Sequence, residues 1–519
     1  MKKMKFLILP LCLMLLAAPA HASAVSEAEL PEGYAEEAAA LSEAGEGDNL
    51  VVTKHSAVVN GKELHYTVTA GTMTVSAEST NLTEEYSGEN PEIEMFFTAY
   101  TLDDADPAER PVTFAFNGGP GSSSVWIHLG FLGPRRIKMD ENGFVDSLTP
   151  GMEDNENSFL DMTDLVFIDP VYTGYSRPVK GNSAEEYLSY EGDCQVVGDF
   201  IHTYISRFGR WGSPRYLCGE SYGTVRAVGV CDYLAGTYFL KPNGLLLIST
   251  CNDYSALTEA PGNDLPYIMN LPTYAADAWY HGLLDETYQN MELEEFLEEV
   301  RAFAGGEYQS ALFKGNTLTD EETDAIAEKL SSYTGLKKEY LKRADLRVFT
   351  ESFCKELLRD RGEIIGRVDG RFTGYEGRGN DSTTANDPSL YGLDGAYASV
   401  INDYLSRELG FRSDLNYMML KDFESQWTLT KEDDTVLKQQ DIIESVMSQN
   451  SHLKIWVLCG YYDLATPFYA AEWTYNHVNL SEKCRDNLMF TYYPSGHMIY
   501  LHKPSLEKVH EQALEWYAK

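Results

Sequence analysis

Positive charge is scarce in this chain. Its 519 residues hold 41 Lys and Arg against 80 Asp and Glu, a formal net charge of −39. A surface with that balance repels nucleic acid and anionic lipid, so neither is expected as a partner. Long apolar runs are also lacking: past the first residues none reaches the ~18 needed for a membrane span. Cysteine is sparse and unpatterned. Besides Cys12 there are Cys194, Cys218, Cys231, Cys251, Cys354, Cys459 and Cys484, with no C-x-x-C spacing, which argues against a zinc site or a dithiol redox motif. No glycine-rich segment ends in Gly-Lys-Ser/Thr, and Ser124 stands where a dinucleotide fingerprint would need its last glycine, so both nucleotide-binding patterns fall. No cofactor and no metal is expected.

A hydrophobic fraction of 43% and an aromatic fraction of 12% describe a chain able to bury a large core. The start is different in kind. Met1 to Lys5 is basic, Phe6 to Leu16 is apolar, and Ala20-His21-Ala22 fits a small-residue cleavage site. Residues 1–22 thus read as a signal peptide cut before Ser23, and the mature chain is expected to be secreted or periplasmic. Leu11 before Cys12 is not small, which excludes a lipoprotein anchor. Residues 23–50, rich in Ala, Glu and Gly and without Lys or Arg, form an acidic leader or linker too polar to pack.

From Leu50 to Thr101 the alternation of apolar and polar residues, with Asn60-Gly61 as a turn signal, predicts antiparallel strands. Short buried strands follow at Val112–Phe116, Leu165–Ile168, Tyr216–Cys218 and Gly244–Ile248, with helical patterns between them, as a mostly parallel sheet with helices on its faces requires. Residues 51–251 are accordingly the first part of an α/β core. Residues 252–448 read as a mostly helical insertion or cap, broken by a polar glycine-rich loop from Asp369 to Leu390. Strands resume at Leu453–Cys459 and Leu488–Tyr493, so residues 449–519 complete the core.

Two stretches carry chemistry. Gly219-Glu220-Ser221-Tyr222-Gly223 lies between a strand and a helical segment and has the G-x-S-x-G form of a nucleophile elbow. That pattern arises by chance ~0.2 times in a chain of this length, so its context decides. Asn117-Gly118-Gly119-Pro120-Gly121 follows another strand and presents unobstructed backbone N–H groups, suited to holding an oxyanion. Asp463 and His497 each come just past a strand end. Ser221, Asp463 and His497 therefore appear in the chain order Ser, Asp, His, at the sheet edge where open α/β folds place their sites. Serine attacks poorly at neutral pH unless a base takes its proton; His497 would do so, with Asp463 fixing the imidazole tautomer.

Asn117-Gly-Gly-Pro-Gly-Ser-Ser123, Asp169-Pro-Val-Tyr-Thr-Gly-Tyr-Ser176, Gly219 to Gly223, Asp463 and Gly496-His497-Met498 together resemble the successive motifs of the serine carboxypeptidase family of α/β-hydrolases. The resemblance runs over about residues 112 to 498. It implies an α/β-hydrolase with a mostly parallel central sheet, acting as a secreted serine peptidase that removes C-terminal residues from peptides with a free C-terminus through an acyl-enzyme at Ser221. It also implies the triad Ser221, Asp463 and His497, an oxyanion hole from the backbone of Gly119 and Tyr222, and a terminal-carboxylate site at Asn117, Gly118 and Glu220. Glu220 can serve there only when protonated or sharing a proton. The chain departs from the family in two places. Ser122 stands where many eukaryotic members have a disulfide Cys, and Phe131 where they carry the Glu that partners the one matching Glu220. A serine-dependent acyltransferase or esterase, or a non-catalytic binding protein, would use the same scaffold.

Overall fold

The computed structural model describes residues 47–518 apart from 79–85, 87, 146–149, 376–385, 424–425 and 429–435. The signal peptide expected at residues 1–22 and nearly all of the expected acidic leader lie outside the described residues.

Three long antiparallel strands open the chain: β1 (Asn49–Val59), β2 (Lys62–Glu78) and β3 (Glu89–Leu102). The turn between β1 and β2 is Asn60-Gly61, both at positive φ, the conformation that a two-residue hairpin demands and that these residues supply cheaply. The strands run further than the local alternation indicates, because burial continues along β2 and β3 on both faces.

The chain then builds a parallel sheet from β4 (Val112–Phe116), β5 (Asp164–Ile168), β6 (Arg215–Glu220), β7 (Gly244–Ile248), β8 (Lys454–Gly460) and β9 (Leu488–Tyr493). The spatial order is β1-β2-β3-β5-β4-β6-β7-β8-β9, and a two-residue strand, Arg177–Pro178, pairs with β3. β3 and β5 pair antiparallel; every pair from β5 onward is parallel. β4, β5 and β7 are buried at every position, as strands covered on both faces should be. Sequence order and spatial order part company at β4 and β5, and this reversal leaves a crevice at the carboxyl ends of the neighbouring strands.

Helix α1 (Tyr190–Arg207) starts where the Ser189 hydroxyl accepts from the Gly192 N–H, a side-chain cap that satisfies a free donor of the first turn. It packs beside α2 (Tyr222–Thr237), the helix that follows the elbow. Between β7 and β8 the described residues are mainly helical, beginning with α3 (Leu265–Tyr280), which accommodates Pro272. The stretch from Asp369 does not behave as a plain loop. Its first residues join a short hairpin, Glu363–Ile365 against Thr373–Tyr375, while residues 376–385 lie outside the described set. Helices α4 (Phe468–Asn476) and α5 (Lys503–Ala518) complete the core. Among the described residues no helix is long and apolar enough to cross a membrane.

All seven described cysteines are buried and unpaired. They pack as small apolar side chains.

Candidate active site

Ser221 sits at φ 60°, ψ −130° between β6 and α2, a strained backbone for a residue with a side chain and one held only where the surroundings dictate it. The turn is possible because Gly219 has no side chain: a Cβ there would lie 2.0 Å from the Gly223 carbonyl oxygen. Gly118 is equally constrained, since its Cβ would lie 2.4 Å from the Tyr222 amide nitrogen. The glycine-rich loop and the elbow are thus pressed together backbone to backbone. Neither the Gly119 nor the Tyr222 N–H is taken by a turn or loop carbonyl among the described residues, and Tyr222 opens a helix, where the first amides have no intrahelical partner.

His497 and Asp463 meet behind Ser221. The His497 Nδ1–Asp463 Oδ2 distance is 2.8 Å, with both side chains buried. Asp463 also does the work of a turn cap: its Oδ1 accepts from the Ala465 and Thr466 amides at 2.9 Å each, and Oδ2 accepts from Thr466 Oγ1 at 2.6 Å. One carboxylate therefore fixes both its own loop and the imidazole. Burial works against protonating His497, but the Asp463 charge and hydrogen bond outweigh it, and its pKa stands above the ordinary value. Ser221 and His497 line the same cavity, of about 430 Å³, without a hydrogen bond between them; such contacts commonly close only when substrate binds.

The His497 loop is held from outside the strand ends. His497 N–H donates to the Val368 carbonyl at 2.8 Å, Ser249 Oγ donates to the His497 carbonyl at 2.7 Å, and Gly496 N–H donates to Asp369 Oδ2 at 3.1 Å. Asp369 is in turn clamped by the buried Arg371 guanidinium.

Asn117, Gly118 and Glu220 lie together on the cavity wall beside Ser221. Asn117 Nδ2 donates to Glu220 Oε1 at 2.8 Å, and Asn117 Oδ1 accepts from the Ile127 amide at 3.0 Å. Glu220 is buried, with its second oxygen unpartnered. Burial is the largest influence on it and pushes its pKa from 4.5 up to about 7, against the pull of the His497 charge. At neutral pH a large fraction of this carboxyl carries its proton.

Further residues support the wall. Arg226 on α2 is wholly buried; its Nε bonds Asp193 Oδ2 on α1 at 2.7 Å, and its Nη1 donates to the Asn117 carbonyl. Its guanidinium also lies over the rings of Phe116 and Tyr222. Asp169 pins the same loop by accepting from Ser124 N–H at 2.8 Å and Ser124 Oγ at 2.7 Å. Ser122 hydrogen-bonds Trp126, and Phe131 packs in an aromatic cluster with Phe159 and Tyr500. Among the described residues no group of three or more His, Cys, Asp or Glu has a geometry that could hold a metal ion.

Taken together the arrangement offers a buried Asp–His pair, a half-buried serine at the tip of the turn and two amides that no turn or loop carbonyl takes. This is what acyl transfer to a serine requires.

The family model described as serine carboxypeptidase matches residues 78–227. Serine carboxypeptidase-like 5 of Arabidopsis thaliana is 31% identical over 157 residues, 29% of this chain and 34% of that protein. Pheromone-processing carboxypeptidase KEX1 of Saccharomyces cerevisiae is 32% identical over 144 residues, 26% of this chain and 18% of that protein. The chain thus spans about a third or less of the length of these two curated relatives. Among solved structures a proline iminopeptidase of Mycobacterium smegmatis covers 85% of this chain, and 97% of its own length, at 13% identity and a TM-score of 0.34. The α/β-hydrolase assignment stands on the strand order and the elbow.

Proposed function

The chain belongs, through residues 78–227, to the serine carboxypeptidase family, and from that premise we propose that it is an exported serine-type carboxypeptidase that releases the C-terminal residue of peptides. Ser221 Oγ attacks the carbonyl carbon of the last peptide bond while His497 Nε2 takes the hydroxyl proton. Asp463 keeps the opposite ring nitrogen protonated and stabilises the imidazolium that forms. The Gly119 and Tyr222 amides receive the developing oxyanion. His497 then gives its proton to the departing amine, so the C–N bond breaks and an acyl ester remains on Ser221. Water, deprotonated by the same imidazole, hydrolyses that ester and restores the serine.

Preference for free C-termini comes from Asn117, Gly118 and Glu220. The observation that carries this reading is the buried Asn117–Glu220 hydrogen bond next to the nucleophile, in which the carboxyl is held up to about 7. A neutral carboxyl can donate to a substrate carboxylate; an ionised one would repel it. The test is digestion of peptides with free and amidated C-termini, followed by mass. Stepwise loss of single residues from the free acids, with amides cut much more slowly, is the expected result. Equal cleavage of both, or cleavage at internal bonds, would remove the exopeptidase reading.

A further inference from the structure

At Glu220, three buried polar atoms make no hydrogen bond of ordinary length and angle: Glu220 Oε2, the Tyr500 hydroxyl and the Tyr397 hydroxyl. Such atoms are costly to bury unpaired and are rare in clusters unless they serve one another or a ligand. The two phenols converge at Gly130, where a Cβ would lie 2.5 Å from a Tyr500 ring carbon and 2.6 Å from the Tyr397 oxygen. Phe131 stacks on the Tyr500 ring at 5.2 Å and 7°, and Trp126 packs against Tyr397 at 4.5 Å. Tyr500 lies on the short turn Ile499–Leu501, three residues past His497, so the segment that presents the imidazole also presents the phenol.

We propose that Tyr500 is a positioning residue of the terminal-carboxylate site, its hydroxyl serving as the hydrogen-bond partner of Glu220 Oε2. The proposal rests on the reading that Asn117 and Glu220 receive the substrate's carboxylate. The hydroxyl and the carboxyl are near enough to shift each other's proton affinity. With Oε1 engaged by Asn117, Oε2 is the atom through which Glu220 must hold or offer its proton. A hydroxyl both donates and accepts. It can accept from the protonated carboxyl before substrate arrives, then turn to donate to Oε2 while the Glu220 proton is offered to the incoming carboxylate. An aromatic wall of Phe131 and Trp126 keeps that exchange dry.

The groups facing Glu220 are Tyr500 and Tyr397, Asn117 on the glycine-rich loop, His497 and Asp463, and Cys218 on its own strand. Arg136 faces Tyr397. Of these, His497, Tyr500 and Asn117 oppose the effect of burial on Glu220, so removing the phenol raises the proton affinity of Glu220 further.

The test compares Tyr500→Phe, Glu220→Gln and the parent full-length protein on matched blocked dipeptides, as free acid and as methyl ester, from pH 5 to 9. Tyr500→Phe is expected to lower the acid-to-ester ratio of kcat/KM about 5- to 15-fold, chiefly through KM, and to move the alkaline limb of free-acid cleavage to higher pH. A purely structural role would lower kcat on both substrates and leave the limb in place. Should Tyr500→Phe fail to fold, Phe131→Leu, which loosens the stack but keeps the hydroxyl, is expected to shift the ratio and limb in the same direction by a smaller amount. If Glu220→Gln leaves the ratio at the parent value, the carboxylate-site reading falls and this inference with it. If Glu220→Gln lowers the ratio while the folded Tyr500 variant, or Phe131→Leu in its place, matches the parent in both ratio and limb, the carboxylate site stands and the inference is overturned.

Discussion

Glu220 gives a stability signature that is independent of turnover. Burial raises its pKa from 4.5 to about 7, so the folded chain holds a proton that the unfolded chain releases. The sign follows from proton binding. Below pH 4.5 both states are protonated and the group costs nothing. As pH rises to about 7 the unfolded chain ionises while the fold does not, and stability falls; above about 7 the loss is complete, at about 3 kcal/mol. Between pH 5 and pH 8 the change is about 2.5 kcal/mol. Glu220→Gln keeps the shape and removes the titration. At ~2.1 cal/mol/K per residue, unfolding the packed part of the chain carries an entropy of about 1 kcal/mol/K, so this change corresponds to a Tm difference of ~2–3 °C. The assay is differential scanning calorimetry of parent and variant at a series of pH values, reading Tm of the variant minus Tm of the parent so that all other titrating groups cancel. That difference is expected to rise by ~2–3 °C from pH 5 to pH 8. A flat or falling difference would refute the claim that the fold keeps this carboxyl protonated.

Three other outcomes are expected. Ser221→Ala should cut kcat by ~10⁴-fold or more while peptide binding, followed by calorimetry, persists; retention of most activity would end the serine mechanism. Arg226→Met leaves Asp193 buried without its partner and frees the Asn117 carbonyl, so it should destabilise by about 3–5 kcal/mol and lower kcat/KM, whereas adding Asp193→Asn should restore part of the stability; additive losses in the pair would show that the two residues act separately. Titration of denatured, unreduced protein with a thiol reagent should find all of the seven described cysteines reactive, and two fewer would reveal a disulfide.

Much of the site could be read in the sequence because its signals are local. Gly219 and Gly223 bracket Ser221 within five residues, and the clash a Cβ would meet at Gly219 is with the backbone of that same turn. Asp463 and His497 were legible by their position after apolar strands, which is a property of β8 and β9 rather than of distant contacts. The supporting residues were hidden for the opposite reason. Arg226 looks like any helix arginine until the sheet brings Asn117, 109 residues away in sequence, onto its Nη1. Asp369 and Arg371 sit in a polar, glycine-rich stretch that reads as a loop, and only the fold sets them under Gly496, 127 residues later than Asp369. Tyr500 has no local mark at all; its meaning depends on which atoms of Glu220 remain unpaired after Asn117 has taken one.

These long-range bonds bear on how the helical segment between β7 and β8 relates to the chemistry. If it were only a cover, the imidazole would be positioned wholly by β8, β9 and Asp463. Instead the His497 amide is received by Val368, and the preceding Gly496 amide by Asp369, both in the connection that precedes β8. Asp369 is side-chain buried and neutralised by Arg371, so the clamp is rigid, and the opposite side of the His497 backbone is tied to Ser249 at the end of β7. The loop carrying the base is therefore gripped between the sheet edge and the inserted segment. An Asp–His hydrogen bond fixes the ring about one axis only; the two backbone anchors fix where that axis lies relative to Ser221. Shape changes in the inserted segment must then reach the base through Val368 and Asp369, which makes that segment part of the positioning machinery as well as the wall of the cavity.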